Sequence, residues 1–297
     1  ERQRALAPKL KLGVAQANAP IPQGDPEAYA RQSLATLRAL TRPLEARGVA
    51  LTVWGESAYP YPLLRTLARA PEDVRAPLAE GVRGPLLLGL ETYASFADNS
   101  SKYNSAVLVH PDGRLGSRVD KAHLIPFGEY VPFWHWVEPL QERFRSPGFT
   151  AGISGTVRTD AGKLGVLICY EDLFASAARE TVRQGARTLV GLSNDVWFGH
   201  SREPFLHDAF ARLRAVELRR DLLRAVNGGP SSLTTSSGAS EQLSQPFTRA
   251  SIEVEVALLD ARTPYSRLGD LTAPACTLLT LLALARTRKL KPSRPAS

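Results

Sequence analysis

What this chain has little of narrows its function early. Among its 297 residues are two cysteines, Cys169 and Cys276, and no methionine. Two cysteines so far apart exclude a disulfide framework and a cysteine-rich zinc module, and Cys276 lies in an apolar C-terminal stretch where pairing with Cys169 is not expected. The five histidines form no H-E-x-x-H pair and no Cys/His cluster, so no metal and no cofactor is expected. The G-x-S-x-G elbow of serine hydrolases and the G-x-x-x-x-G-K phosphate loop are missing as well. Without a helix-turn-helix, an RNA-binding signature or zinc-finger spacing, nucleic acid is not an expected partner. No secretory leader is readable, and a start at Glu1 with no methionine fits a processed chain or a fragment.

Long apolar runs are scarce too. The most apolar stretch, Leu271 to Ala285, contains Pro274 and stops at Arg286, short of the ~20 residues that a spanning helix needs. It fits a buried core helix, an interfacial helix or a truncated span, and the basic residues after it match the positive-inside pattern. The net charge is +8, much of it arginine alternating with apolar residues on helix-like stretches, as at Arg212, Arg214, Arg219, Arg220 and Arg224. Two basic clusters lie at the ends, Arg2, Arg4, Lys9 and Lys11, then Arg286, Arg288, Lys289, Lys291 and Arg294. Basic clusters flanking apolar sequence fit a membrane surface.

Hydrophobic content of 43% and charged content of 22% are those of a globular protein with ample core. Strand and helix patterns alternate along it. Strands are expected at Leu10–Gln16, Val49–Trp54, Pro85–Leu90, Tyr103–His110, Gly165–Ile168 and Thr188–Ser193, with late strands at Leu233–Ser240 and Ile252–Leu258. Helices are expected at Glu27–Arg47, closed by Gly48, at Leu63–Leu78 with a break at Pro71, at Leu173–Gln184, and over a long amphipathic stretch marked by Phe205, Leu206, Phe210, Leu213, Val216 and Leu223. Pro111-Asp112-Gly113-Arg114 has the chemistry of a hairpin turn. With no internal repeat, the alternation predicts one α/β sandwich domain, residues 1–270, followed by an apolar and then basic tail, 271–297.

The chemistry gathers at strand ends. Gly165-Val166-Leu167-Ile168 runs into Cys169 and then Tyr170-Glu171-Asp172, which places a thiol at the carboxyl end of a buried strand, where open α/β sheets bind ligands. Most lone cysteines simply pack as small hydrophobes. Here Glu56 follows a second strand and Lys121 a third, so all three side chains are expected at one sheet edge. A thiol with an ordinary pKa near 8.5 needs a base, which a buried glutamate supplies, and a lysine favours the anions that form. Glu, Lys and Cys together suit acyl transfer.

Trp54-Gly55-Glu56-Ser57, Tyr103-Asn104-Ser105-Ala106, Lys121-Ala122-His123-Leu124-Ile125-Pro126-Phe127-Gly128-Glu129-Tyr130 and Ile168-Cys169-Tyr170-Glu171 resemble the nitrilase (carbon–nitrogen hydrolase) superfamily. Ser193-Asn194-Asp195-Val196-Trp197-Phe198-Gly199, with Ala211-Arg212-Leu213-Arg214-Ala215-Val216-Glu217 behind it, is similar to the catalytic domain of its apolipoprotein N-acyltransferase branch. The resemblance runs from about Leu10 to about Gly269, and the tail resembles the start of that branch's last membrane helix. It departs at Gly55, where the family usually has proline, and the membrane portion that the branch carries before its catalytic domain has no counterpart ahead of Leu10.

The resemblance implies an αββα four-layer sandwich and a triad with Glu56 as base, Lys121 as its lysine and Cys169 as nucleophile. It adds Glu129 as a second glutamate near them, and Asn104, Tyr170, Glu171 and Trp197 around the substrate. It further implies a phospholipid acyl donor, a thioester on Cys169, and the N-terminal amine of a diacylglyceryl-cysteine lipoprotein as acceptor. The location implied is the periplasmic face of a bacterial inner membrane. The aromatic segment Phe133, Trp134, Trp136, Phe144 and Phe149 fits a lid that admits lipid. Two alternatives stand beside this one: a soluble amidase or nitrilase using the same triad on a small substrate, and an inactive module that binds lipid or a partner.

Overall fold

The apolar runs assemble into two sheets packed face to face, with helices on both outer sides. The computed structural model describes residues 1–70, 81–96, 101–134, 136, 138–143 and 148–289. In chain order these give α1 (Arg2–Leu6), β1 (Lys9–Gln16), α2 (Pro26–Ala46), β2 (Leu51–Trp54), β3 (Leu63–Leu64), β4 (Leu86–Tyr93), β5 (Lys102–Val109), β6 (Leu115–Asp120) and α3 (Glu138–Arg143). Then follow β7 (Gly155–Thr159), β8 (Gly162–Ile168), α4 (Ala175–Arg183), β9 (Thr188–Asn194), α5 (Glu203–Leu218), β10 (Leu222–Asn227), β11 (Ser232–Thr234), β12 (Ser240–Gln242), β13 (Ala250–Ala257), α6 (Pro264–Leu268) and α7 (Thr272–Lys289).

One sheet has the order β13-β1-β2-β4-β5-β6, with β3 paired to β4; the other runs β12-β11-β10-β9-β8-β7. The strands β1, β2 and β8 to β10 are buried over most of their length because both of their faces are covered. Leu12, Val53, Leu87 and Ala106 of the first sheet interleave with Val166, Ile168, Val190 and Leu223 of the second. Outside the first sheet, Leu34 and Leu37 of α2 pack on Trp54 and Leu88. That helix begins where Asp25 caps the Glu27 N–H ahead of Pro26. Outside the second, the small side chains Ala177, Ala178, Ala211 and Ala215 let α4 and α5 lie close over Leu167, Leu189 and Leu222. The architecture is an αββα sandwich.

Topology decides which loops meet. Strands β1, β2 and β4 are mutually parallel, β5 is antiparallel to β4, and β6 is antiparallel to β5, so β2 and β6 end at one edge. In the other sheet β8, β9 and β10 are parallel and end together.

Three expectations are corrected. No helix forms over Leu63–Ala70: Leu63 and Leu64 pair with Thr92 and Tyr93, and a bridge from Arg69 to Arg114 follows. Pairing with the edge of β4 outweighs the helical propensity of Leu-Leu-Arg-Thr-Leu-Ala-Arg; the remainder of that segment, from Pro71, lies outside the described residues, as do Phe144, Lys291 and Arg294. Leu223 belongs to β10, since α5 stops at Leu218 with Arg219 in the left-handed region at φ 51. The segment Leu233–Ser240 is two short strands, β11 and β12, joined by a turn at Thr235–Ala239.

The apolar tail forms α7, with Leu278, Leu279, Leu281, Leu282 and Leu284 all exposed. No helix among the described residues is long and apolar enough to cross a membrane.

Candidate active site

Each element ends by delivering one polar group to the shared edge. Beyond β2 the chain turns through Gly55, Glu56 and Ser57, the last at φ 52, and Glu56 is buried. Its Oε1 accepts from Asn104 Nδ2 at 2.8 Å and lies 3.5 Å from Lys121 Nζ, while Oε2 accepts from the Asn194 backbone N–H at 3.0 Å. Asn104 comes from β5 and Asn194 from the end of β9, so both sheets hold the one carboxylate.

This turn depends on Gly89 in β4. A methyl group there would stand 2.6 Å from Glu56 Cα and 2.6 Å from the Gly55 carbonyl oxygen, both backbone atoms that cannot swing aside. Gly89→Ala is therefore expected to lower stability by about 1–3 kcal/mol and to cut activity as Glu56 is displaced. Denaturant melts alongside rate measurements check this; an alanine variant with wild-type values would mean that the turn has slack.

Lys121 follows β6 directly and is buried at 1% exposure. Its Nζ donates to Glu129 Oε1 at 2.8 Å, and the same oxygen accepts from Asn104 Nδ2 at 3.3 Å. Glu129 Oε2 accepts from the Ile125 N–H at 3.0 Å, which ties the loop after β6 to the lysine. Lys121 is thus sandwiched between two carboxylates.

Cys169 follows β8 at φ 53, in the left-handed region that a non-glycine residue rarely occupies, with the Glu56 carboxyl group near enough to act on its thiol. Such backbone strain is a recurrent feature of nucleophiles placed on a strand-to-helix turn. The turn continues as a 3-10 helix, Cys169–Leu173, held by Glu171. One Glu171 oxygen accepts from the N–H groups of Ala122 at 2.7 Å and His123 at 3.2 Å, and the other from Ile168 at 2.9 Å. Glu171 is fully buried, with both oxygens occupied by the chain's own backbone. It joins the loop after Lys121 to the turn of Cys169.

The electrostatics follow from burial. Burial pushes the Glu56 carboxyl up, against the opposing pull of Lys121 and Asn104. Burial also pushes the Cys169 thiol well up, and the neighbouring Glu56 charge adds to it while Lys121 opposes. For Lys121 burial works downward, but Glu56, Cys169 and Glu129 outweigh it and hold the ammonium above its usual range. Burial thus favours the protonated thiol and the protonated carboxyl while the Lys121 ammonium pulls both the other way, and a base of raised basicity beside a thiol is the arrangement for general-base activation of a nucleophile.

Around this centre stand exposed apolar side chains on loops that leave the same edge: Phe127, Phe133 and Trp136 after β6, Tyr170 after β8, and Trp197 with Phe198 after β9. Tyr170 meets Phe174 edge-on at 4.9 Å, and Phe174 stacks on His123 at 4.7 Å. Asn104 Oδ1 is buried and has no hydrogen-bond partner among the described residues. Among the described residues no three His, Cys, Asp or Glu side chains are grouped so as to hold a metal ion.

The profile of one protein family, Carbon-nitrogen hydrolase, matches residues 11–244. The chain belongs to the carbon–nitrogen hydrolase family. Among curated relatives it is 34% identical over 266 residues to an apolipoprotein N-acyltransferase of Geobacter metallireducens, covering 88% of this chain and 51% of the relative. An apolipoprotein N-acyltransferase of Gloeobacter violaceus is 31% identical over 288 residues, 94% of this chain and 53% of the relative. The chain thus spans about half the length of these curated relatives. Among solved structures, a carbon–nitrogen hydrolase from Helicobacter pylori G27 superposes with a TM-score of 0.60 at 19% identity, covering 84% of this chain and 90% of that one. An amidase from Nesterenkonia sp. gives 0.59 at 17% identity, covering 91% and 96%. At these identities the likeness shows the fold.

Sequence reasoning named Glu56, Lys121, Cys169, Glu129 and Asn104, which the structure brings together, and Tyr170 and Trp197, which it leaves at the rim. It missed Asn194, whose backbone rather than side chain contacts Glu56. It also missed the buried charges behind Cys169: Asp172, Asp195, His207, Asp208 and Arg224. Asp172 and Asp195 each follow a strand end, as Glu56 and Cys169 do, and that pattern was the available signal.

Proposed function

We propose that this member of the carbon–nitrogen hydrolase family is the catalytic domain of an apolipoprotein N-acyltransferase. The observation that carries the reading is similarity to curated enzymes of that name over 88% of the chain. Supporting it are the Glu56–Lys121–Cys169 cluster, the apolar rim around it and the exposed apolar helix α7.

In this reading Glu56 takes the Cys169 proton as Sγ attacks the ester carbonyl of a phospholipid. The oxyanion forms beside the Lys121 ammonium, which stays protonated throughout. Collapse breaks the ester bond, the departing alkoxide recovers the proton from Glu56, and a lysophospholipid leaves a fatty-acyl thioester on Cys169. The α-amine of a diacylglyceryl-cysteine then attacks the thioester and gives a proton to Glu56. The amide forms, and Cys169 leaves as a thiolate that Glu56 reprotonates. Glu129 holds Lys121 in place, Glu171 holds the nucleophile's turn, and the unpartnered Asn104 Oδ1 suits an N–H of the incoming amine. Tyr170, Trp197 and the aromatics after β6 receive the acyl chains. Exposed α7 and the basic end clusters set the domain against a membrane surface, the periplasmic face of the inner membrane.

The acceptor separates this reading from a hydrolase with the same triad. With a diacylglyceryl-cysteine peptide and phospholipid supplied together, the expected products are N-acylated peptide and lysophospholipid in equal amounts. Release of free fatty acid with no acylated peptide, or rapid hydrolysis of small amides, would assign the site to water as acceptor.

A further inference from the structure

Behind the candidate site lies a buried charge cluster that the acyl-transfer steps leave unused. His207 projects from α5 and is 4% exposed. Its Nε2 lies 2.8 Å from Asp172 Oδ1, in the turn that carries Cys169, and its Nδ1 lies 3.4 Å from Asp195 Oδ1, in the turn that follows Asn194. The second turn is the one whose Asn194 N–H holds the base Glu56. One imidazole ring therefore bridges the segment of the nucleophile and the segment of the base. Nε2 is in hydrogen-bond contact with Asp172, while the buried Nδ1 faces Asp195 at ion-pair distance without a hydrogen bond, so a proton on each nitrogen, the imidazolium, answers both carboxylates.

We infer that His207 is a positioning residue, a buried imidazolium that locks the Cys169 turn to the Asn194 turn and shields the thiol from the charges of Asp172 and Asp195. The role rests on the acyl-enzyme reading for its purpose, while its effect on the thiol does not depend on that reading. Asp172 and Asp195 both act to push the Cys169 thiol up, so a cation between them offsets that push. The other charges facing the ring are Arg224 from β10, which donates to Asp172 Oδ2 at 2.8 Å, and Glu203 one helical turn earlier on α5. Asp208 is occupied elsewhere, accepting from Ser232 Oγ at 2.5 Å and pairing with Arg212 and Arg224. Burial works to lower the His207 pKa, but the two aspartates outweigh it and carry it up to about 10. A raised histidine pKa means that the charged form, and the stability it brings, is fully present below the ordinary value near 6.5 and lost only as pH rises through about 10.

The test uses the rate of thiol alkylation by iodoacetamide, which reports the Cys169 thiolate whatever the enzyme's acceptor is. A Cys276→Ser background removes the other thiol. His207→Gln keeps one donor for Asp172 and discards the charge, and alkylation at pH 7–8 is expected to slow on the order of tenfold, with the whole pH profile displaced to higher pH. Asp195→Asn, which removes one of the anions, is expected to displace it the other way. In the unsubstituted chain, the His207 ring resonances followed by NMR should show both nitrogens protonated from pH 6 to 9. An alkylation profile in His207→Gln that superimposes on the unsubstituted one, whatever the change in stability, overturns the role, and so does an imidazole titrating near 6.5. If alkylation shifts as expected but no acyl-enzyme forms from phospholipid, the positioning role stands and the acyl-transfer reading alone fails.

Discussion

Cys169→Ser is expected to remove turnover almost entirely, by roughly 10⁴-fold or more, while leaving the fold unchanged. The reason is chemical. Oxygen replaces sulfur at nearly constant volume, so the turn, its left-handed φ and the hold of Glu171 on it all remain. What disappears is a nucleophile that one carboxylate can activate: a hydroxyl is a far weaker acid than a thiol, and among the described residues no histidine stands on Glu56 to help it. Circular dichroism and a thermal melt should match the unsubstituted protein. Retained turnover in the serine variant would move the nucleophile elsewhere.

Lys121→Met is expected to lose activity by about 10²–10³-fold and stability as well, which separates it from Cys169→Ser. The ammonium stands 2.8 Å from Glu129 and 3.5 Å from Glu56, buried with both. Without it the two carboxylates face each other uncompensated, and removing one partner of a buried ion pair costs about 3–5 kcal/mol. The sign of the pH dependence follows. In the variant, repulsion raises the folded-state pKa of the pair above that of the unfolded chain, so stability is greatest when a shared proton neutralises it and falls as pH rises. The deficit relative to the unsubstituted protein should thus be larger at pH 8 than at pH 5. Adding Glu129→Gln should recover much of the stability and none of the rate, because it removes the repulsion without restoring a cation for the oxyanion. Equal deficits at both pH values would mean that Lys121 acts by packing alone.

The sequence carried the fold's layers because buried strands and amphipathic helices write opposite periodicities. Val49–Trp54 and Gly165–Ile168 read as interior strands, each an apolar run that stops at a turn, Gly55-Glu56-Ser57 after the first and Cys169-Tyr170-Glu171 after the second. Where reading failed, tertiary pairing overruled local preference. Leu63-Leu64 is a good helix start, but the open edge of β4 takes its backbone as a strand. Leu223 continues the apolar spacing of α5, and only the left-handed Arg219 shows that the chain has already turned. At the site, Glu56, Lys121 and Cys169 were visible as strand-end polar groups, and Glu129 only through the family resemblance of the motif that holds it. Glu171 reads differently in three dimensions: it was expected beside the substrate, and its oxygens are occupied by three backbone N–H groups. The bridge through His207 was hidden because its partners, Asp172 and Asp195, are brought to it from two different strand ends by the fold alone.

The central claim is that Cys169 takes an acyl chain from phospholipid, and intact-protein mass spectrometry after incubation with phospholipid tests it most directly. The account predicts a fatty-acyl mass increment on the unsubstituted chain, absent from Cys169→Ser and removed by neutral hydroxylamine, as a thioester would be. Product formation with no increment at any time, or an increment that survives in Cys169→Ser, would contradict it.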